Sequence, residues 1–281
     1  MKQFFLGLWI LIVTVSCAAP APKVTAPVAQ ASLSTDPFDG TLGCFLLYNV
    51  KTKEFDRVIG EEICRQRFPA CSTFKVPLAA IAFDTGLLKD ENTTYKWDGV
   101  KGDREAINKD HSAKSWMSDS VAWYSQRLTT KLGEKKLQRY LDLFKYGNRD
   151  ISAGLKNAWL IPPGIDSKGL KISAYEQVDF MKQLWSSKLP VAKRVSKMTQ
   201  DLTFLETTPA GFKFSGKTGS SANPTDPKAK FGWFVGHLKK ENAEYIVVTN
   251  FTDLTPPKVE GPGGPRAKAI TKILLEADKL W

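Results

Sequence analysis

The chain has 281 residues, of which 42% are hydrophobic and 25% charged, a composition that excludes a disordered or fibrous chain and supplies one large core or two small ones. Its net charge is +11, but lysine and arginine are spread through the chain and no basic block is interleaved with aromatics, so a solvated basic surface is predicted and a nucleic-acid partner is not. His111 and His237 stand alone and no CxxC occurs, so no metal site is predicted.

Met1-Lys2 gives a positive start, and the apolar run Phe4 to Val15 that follows is shorter than the roughly 20 residues a membrane-spanning helix needs. Residues 1–17 therefore read as an export signal. Cys17 follows a small residue as in a lipid-attachment signal, although Thr14 stands where leucine is usual. Cleavage after Ala31 is the competing reading, and both stay open. The expected location is the periplasm, with or without a lipid anchor at Cys17. Residues 18–36 are rich in alanine and proline and read as a tether to a domain spanning 37–281. If Cys17 is lipidated or removed, Cys44, Cys64 and Cys71 remain. That odd number allows at most one bridge: Cys44–Cys64, Cys64–Cys71 and three buried thiols all remain possible.

Gly43 to Val50 is apolar and β-prone, Lys51-Thr52-Lys53 turns it, and Glu54 to Ile59 returns. A helix is predicted to begin at Ser72 as its N-cap, with Pro77 tolerated near the first turn. From about residue 87 to 200 the chain turns helical, with segments Val121 to Leu132, Lys135 to Leu143 and Ala174 to Leu184. Strands return at Lys230 to Leu238 and Glu244 to Phe251, and an amphipathic helix closes the chain from Arg266 to Leu280. The sheet is thus assembled from both chain ends around a helical insert, an α/β (α+β) arrangement that leaves a cleft at the junction.

Ser72 and Lys75 are three apart at the edge of an apolar run. On a helix they share one face. The helix N-terminus carries a positive dipole end, which together with burial disfavours an ammonium at Lys75. A neutral lysine can serve as base for the neighbouring hydroxyl. Downstream, Ser120 and Lys217-Thr218-Gly219-Ser220 follow in order. A lysine and a hydroxyl at a strand edge, followed by glycine, let a substrate lie along the backbone.

The stretches STFK at Ser72, WMSDSVAWYSQ at Trp116, YGN at Tyr146, AWL at Ala158, KTG at Lys217, GWFVG at Gly232 and PRAKAITKIL at Pro265 together resemble the penicillin-recognising serine enzymes, and most closely the class D (OXA-type) β-lactamases. The resemblance runs from about Pro37 onward. It implies a central antiparallel sheet flanked by helices, with an inserted helical subdomain, and hydrolysis of β-lactam antibiotics through an acyl-enzyme on Ser72. Lys75 would take up carbon dioxide as a carbamate and act as the general base, with no metal or other cofactor. Trp159 and the residue at Ala122 would support that group, and Ser120 would relay a proton to the leaving nitrogen. The backbone N–H groups of Ser72 and Ser220 would form the oxyanion hole. Lys217, Thr218, Gly219 and Arg266 would bind the substrate, with the Arg266 fork on its carboxylate.

Two departures stand out. The family usually carries valine where Ala122 stands, which predicts a less sheltered carbamate. Ile161 to Lys168 is longer than is usual beside the site. The alternatives are a transpeptidase, which usually has asparagine at the Ala122 position, and a β-lactam sensor acylated without turnover, which would be expected to follow membrane helices. The oligomeric state is not legible.

Overall fold

The computed structural model describes Met1 and residues 36–162, 168–223 and 225–281. The expected signal, nearly all of the tether and residues 163–167 of the long insertion lie outside the described residues. The first hairpin is β1 (Thr41–Asn49) and β2 (Glu54–Ile59), followed by α1 (Glu61–Arg65) and the short β3 (Phe68–Pro69). A 3-10 turn at Cys71–Phe74 runs into α2 (Lys75–Asp84). Then come β4 (Thr94–Tyr95), β5 (His111–Ser112), α3 (Ala113–Ser118), α4 (Ala122–Phe144), β6 (Lys171–Ile172), α5 (Ala174–Trp185) and α6 (Lys193–Leu202). The chain ends with β7 (Phe204–Thr207), β8 (Lys213–Ala222), β9 (Lys230–Lys240), β10 (Ala243–Asp253) and α7 (Gly263–Ala277).

Six strands form one antiparallel sheet in the order β2-β1-β10-β9-β8-β7. The first strand pairs with the last, from Thr41↔Asp253 to Asn49↔Tyr245. Both faces of the sheet are covered, which is why β9 and β10 read as near-continuous apolar runs. One core lies between the sheet and the helical layer and includes Leu46, Trp116, Trp159 and Trp233. The other lies between the sheet and α7 and includes Phe214, Phe234 and Leu274.

α2 is buried from Lys75 through Phe83, so it is the central helix of the helical layer rather than an amphipathic surface helix. Ser72 is not the N-cap that the sequence predicts. The 3-10 turn begins after Ala70 with no side-chain cap, and the α-helix proper begins at Lys75. Pro77, third in α2, sits where its missing N–H costs nothing. The two predicted helices 121–132 and 135–143 are one element, α4, broken at Gly133, whose φ of 74° and ψ of 164° are non-helical. α5 starts on a reciprocal cap: Ser173 Oγ accepts the Glu176 N–H at 3.2 Å, and the Glu176 carboxylate accepts the Ser173 N–H at 2.9 Å.

Of the pairings left open by the sequence, the fold takes Cys44–Cys64, with Cα atoms 5.1 Å apart, tying β1 to α1. Cys71 is a buried free thiol, and burial pushes its pKa up to about 12.

Candidate active site

The turn carrying Ser72 is pinned from three sides. Cys71, in the left-handed region at φ 48°, donates its N–H to Trp159 O at 2.9 Å. Gln177 Nε2, one residue past the capping Glu176 of α5, donates to Thr73 Oγ1 at 2.9 Å. Trp233 Nε1 of β9 donates to Pro69 O at 2.9 Å. A non-glycine residue at positive φ costs free energy, and these bonds hold it there. Ser72 is left half-buried at the surface of the turn, with its backbone N–H among the first-turn donors that have no intrahelical acceptor.

Lys75 is 1% exposed, and its Nζ is hydrogen-bonded to Ser72 Oγ at 3.1 Å. Its pKa lies well below the ordinary lysine value, first because burial strips water from the ammonium, then because the charges of Lys217 and Arg104 repel it. Trp159 is buried and tilts against Phe74, with ring centroids 5.0 Å apart, at the foot of α2.

β8 supplies the opposite wall. β7 pairs with it only from Lys213 to Ser215, so among the described residues the edge of β8 beyond Ser215 has no strand partner. Gly216 N–H points to that side, bonding Thr203 O at 2.8 Å. The two-residue alternation of a strand puts the Ser220 N–H on the same edge. Gly219 faces the turn of Ser72: a Cβ there would lie 3.1 Å from Cys71 Cβ and 3.3 Å from Thr73 Cγ2. Only a residue without a side chain lets strand and turn approach this closely. Lys217 is 5% exposed and donates to Thr218 O at 3.0 Å and Thr218 Oγ1 at 3.3 Å. Burial, and then the charge of Arg104, lower its pKa to about 7. Ser220 Oγ faces the other way and accepts the Gly264 N–H at 2.8 Å.

Ser120 lies in the tight connection between α3 and α4, at φ 58°, with the following N–H of Val121 bonded to Trp116 O at 3.1 Å. Ala122 is the first residue of α4 and is half-buried. Arg266 stands apart from Lys217 in its bonding. Both its Nη atoms donate to Asp253 at 2.7 Å, and it lies over the Phe251 ring at 4.5 Å. The fork expected on a substrate carboxylate is therefore engaged by a carboxylate of the chain itself. That Asp253 side chain is 1% exposed and also accepts the Lys230 N–H at 2.8 Å.

Neither histidine belongs to a metal cluster: among the described residues no group of three or more histidine, cysteine or acidic side chains is placed to hold an ion. His111 bonds Ser115 Oγ at 2.9 Å, and His237 is stacked on Trp185 and bonded to Glu244 at 2.8 Å. Sequence reasoning missed Gln177, Asp253 and Arg104, because each meets its partner through the fold at a distance no local pattern records.

Residues 43–276 match the family model of the penicillin binding protein transpeptidase domain. The β-lactamase OXA-1 of Escherichia coli is 35% identical over 240 residues, covering 80% of this chain and 83% of that protein. Among solved structures, the class D β-lactamase BAT-2 superimposes with a TM-score of 0.76 at 33% identity, covering 89% of this chain and 97% of that one. The C-terminal domain of the Bacillus licheniformis BlaR penicillin receptor does so with a TM-score of 0.78 at 27% identity, covering 87% and 94%. With its mixed antiparallel fold and a serine–lysine pair at the head of a buried helix, the chain belongs to the transpeptidase-domain family and, within it, to the class D β-lactamases.

Proposed function

We propose that the chain hydrolyses β-lactam antibiotics, and so confers resistance to them, through an acyl-enzyme on Ser72 with Lys75 as the base. The observation that carries this is the hydrogen bond between Lys75 Nζ and Ser72 Oγ at 3.1 Å, with a lysine whose burial favours the neutral amine. A neutral Nζ has a lone pair to receive the hydroxyl proton as Ser72 Oγ attacks the lactam carbonyl. The N–H groups of Ser72 and Ser220 stabilise the developing oxyanion. Ser120 passes a proton to the leaving nitrogen. Lys217 and Thr218 receive the substrate carboxylate, and Gly219 lets the β8 edge close up against the turn that carries Ser72. Water activated at Lys75 then releases the product.

A neutral, buried amine is also the form that reacts with carbon dioxide. The carbamate so formed supplies a carboxylate-like base in place of the amine. Trp159 and Ala122 are the residues that would flank it, and the half-exposure of Ala122 fits an easily reversed modification. The apolar segment before Cys17 and the Cys44–Cys64 disulfide support export, since disulfides persist in oxidising compartments. Lipid attachment at Cys17 and plain cleavage after Ala31 are the two forms that export can take.

The test is to mix the protein with a chromogenic β-lactam and follow acyl-enzyme by mass and product by absorbance. Many turnovers are expected. The likeness to the BlaR receptor domain favours a second reading, acylation without turnover, which a stable adduct would establish instead. Ser72→Ala should abolish both adduct and product; hydrolysis that persists in it rules out Ser72 as nucleophile.

A further inference from the structure

Arg104 lies on the exposed segment between β4 and β5, outside every motif that pointed to the site. Its Nη2 donates to the carbonyl of Asp119 at 2.8 Å, the residue immediately before Ser120. That bond uses one of the five guanidinium N–H groups, and the side chain is 49% exposed, so it keeps donors for a further partner. Its nearest acid, Asp103, is 3.9 Å from Nε and 85% exposed, which makes that pair weak. The charge of Arg104 is felt at both Lys75 and Lys217, and among the described residues no carboxylate contributes at either lysine. Arg104, with only a weak exposed partner, and Lys217, with no carboxylate paired to it among the described residues, thus form an arrangement suited to binding an anion.

The other cations of the cleft are poorly placed for a lasting ion pair. Lys217, with a pKa of about 7, is only partly protonated at neutral pH. Arg266 is committed to Asp253. A guanidinium, unlike an amine, is a fixed cation. In bicyclic β-lactams the carboxylate sits on the carbon next to the ring nitrogen, and that nitrogen is the group Ser120 serves. A guanidinium anchored one residue before Ser120 is therefore on the carboxylate side of the substrate.

We propose that Arg104 is the specificity-determining cation for the substrate carboxylate, closing on it from the Ser120 side while Lys217 and Thr218 hold it from β8. The inference rests on the β-lactamase reading above. The test compares kcat/KM for a penicillin and for its carboxyl methyl ester in wild type, Arg104→Gln and Arg104→Lys. Arg104→Gln is expected to lose about tenfold on the acid and to stay within about twofold on the ester, with Arg104→Lys intermediate. Removing this neighbouring cation should also move the Lys217 titration upward in the pH profile of KM. Equal losses on acid and ester, an unchanged acid rate, or a loss of discrimination in Arg266→Gln but not in Arg104→Gln would each overturn the proposal. Wild type that forms no acyl-enzyme would instead sink the reading on which it rests.

Discussion

Replacing Arg266 by glutamine tests whether its pairing with Asp253 is structural. The Asp253 carboxylate is 1% exposed and the Arg266 side chain 14% exposed, so little water can take over when the guanidinium is lost. Removing one partner of a buried pair costs about 3–5 kcal/mol, chiefly from the stranded charge. The Lys230 N–H remains on Asp253 and glutamine can still donate one bond, which favours the lower end, about 3 kcal/mol. For a domain of this size each kcal/mol moves Tm by roughly 2–4 °C, so a fall of about 6–12 °C is expected by calorimetry at neutral pH. Adding Asp253→Asn removes the stranded charge, and the double variant should recover about half of the loss. An Arg266→Gln protein melting within about 2 °C of wild type would refute the reasoning, as would a double variant no more stable than the single one.

Opening the disulfide with Cys44→Ala and Cys64→Ala releases a loop with a sequence separation of 20 and should cost about 3 kcal/mol, seen as a lower urea midpoint; an unchanged midpoint counts against it. The lowered pKa of Lys217 predicts that KM for a carboxylate-bearing substrate rises as pH climbs through about 7, because the ammonium is lost above that value, and that Lys217→Arg abolishes this limb. If Ala122 leaves the Lys75 carbamate open to water, added bicarbonate should raise wild-type turnover, and Ala122→Val should reduce that dependence; indifference in both variants argues against the idea. Cys71, buried and with its pKa up near 12, should stay unalkylated by iodoacetamide in the native protein, as checked by peptide mass.

The opening hairpin and the strands β9 and β10 were legible because apolar and β-branched residues mark them continuously. α6 was not, because its buried face is Val195, Ser196, Thr199 and Leu202: two small hydroxyl residues dilute the apolar period against α2. The serine–lysine pair was legible only together with Ser120 and the KTG and YGN stretches that follow it, since its spacing alone recurs by chance, and the 3-10 geometry beneath it was not legible at all, since it depends on Trp159, Gln177 and Trp233 holding Cys71 in a left-handed conformation. The cysteine pairing needed the fold, because spacing allowed more than one bridge. Arg266 was read from its motif, yet its partner Asp253 lies on a neighbouring strand end that local sequence does not disclose.

The pairing of β1 with β10 has a consequence for biogenesis. The second strand of that ladder is separated from the first by nearly the whole domain, and the turn of Ser72 faces β8 across more than half of it. Contacts of such long sequence separation form late and slowly. A nascent chain still lacking β10 has an unpaired β1 edge and no finished cleft, so acylation by a β-lactam becomes a sensitive reporter of folding completed to the C-terminus. It also means that truncations within β10 or α7 should abolish labelling of Ser72 although Lys75, its hydrogen-bond partner, is retained.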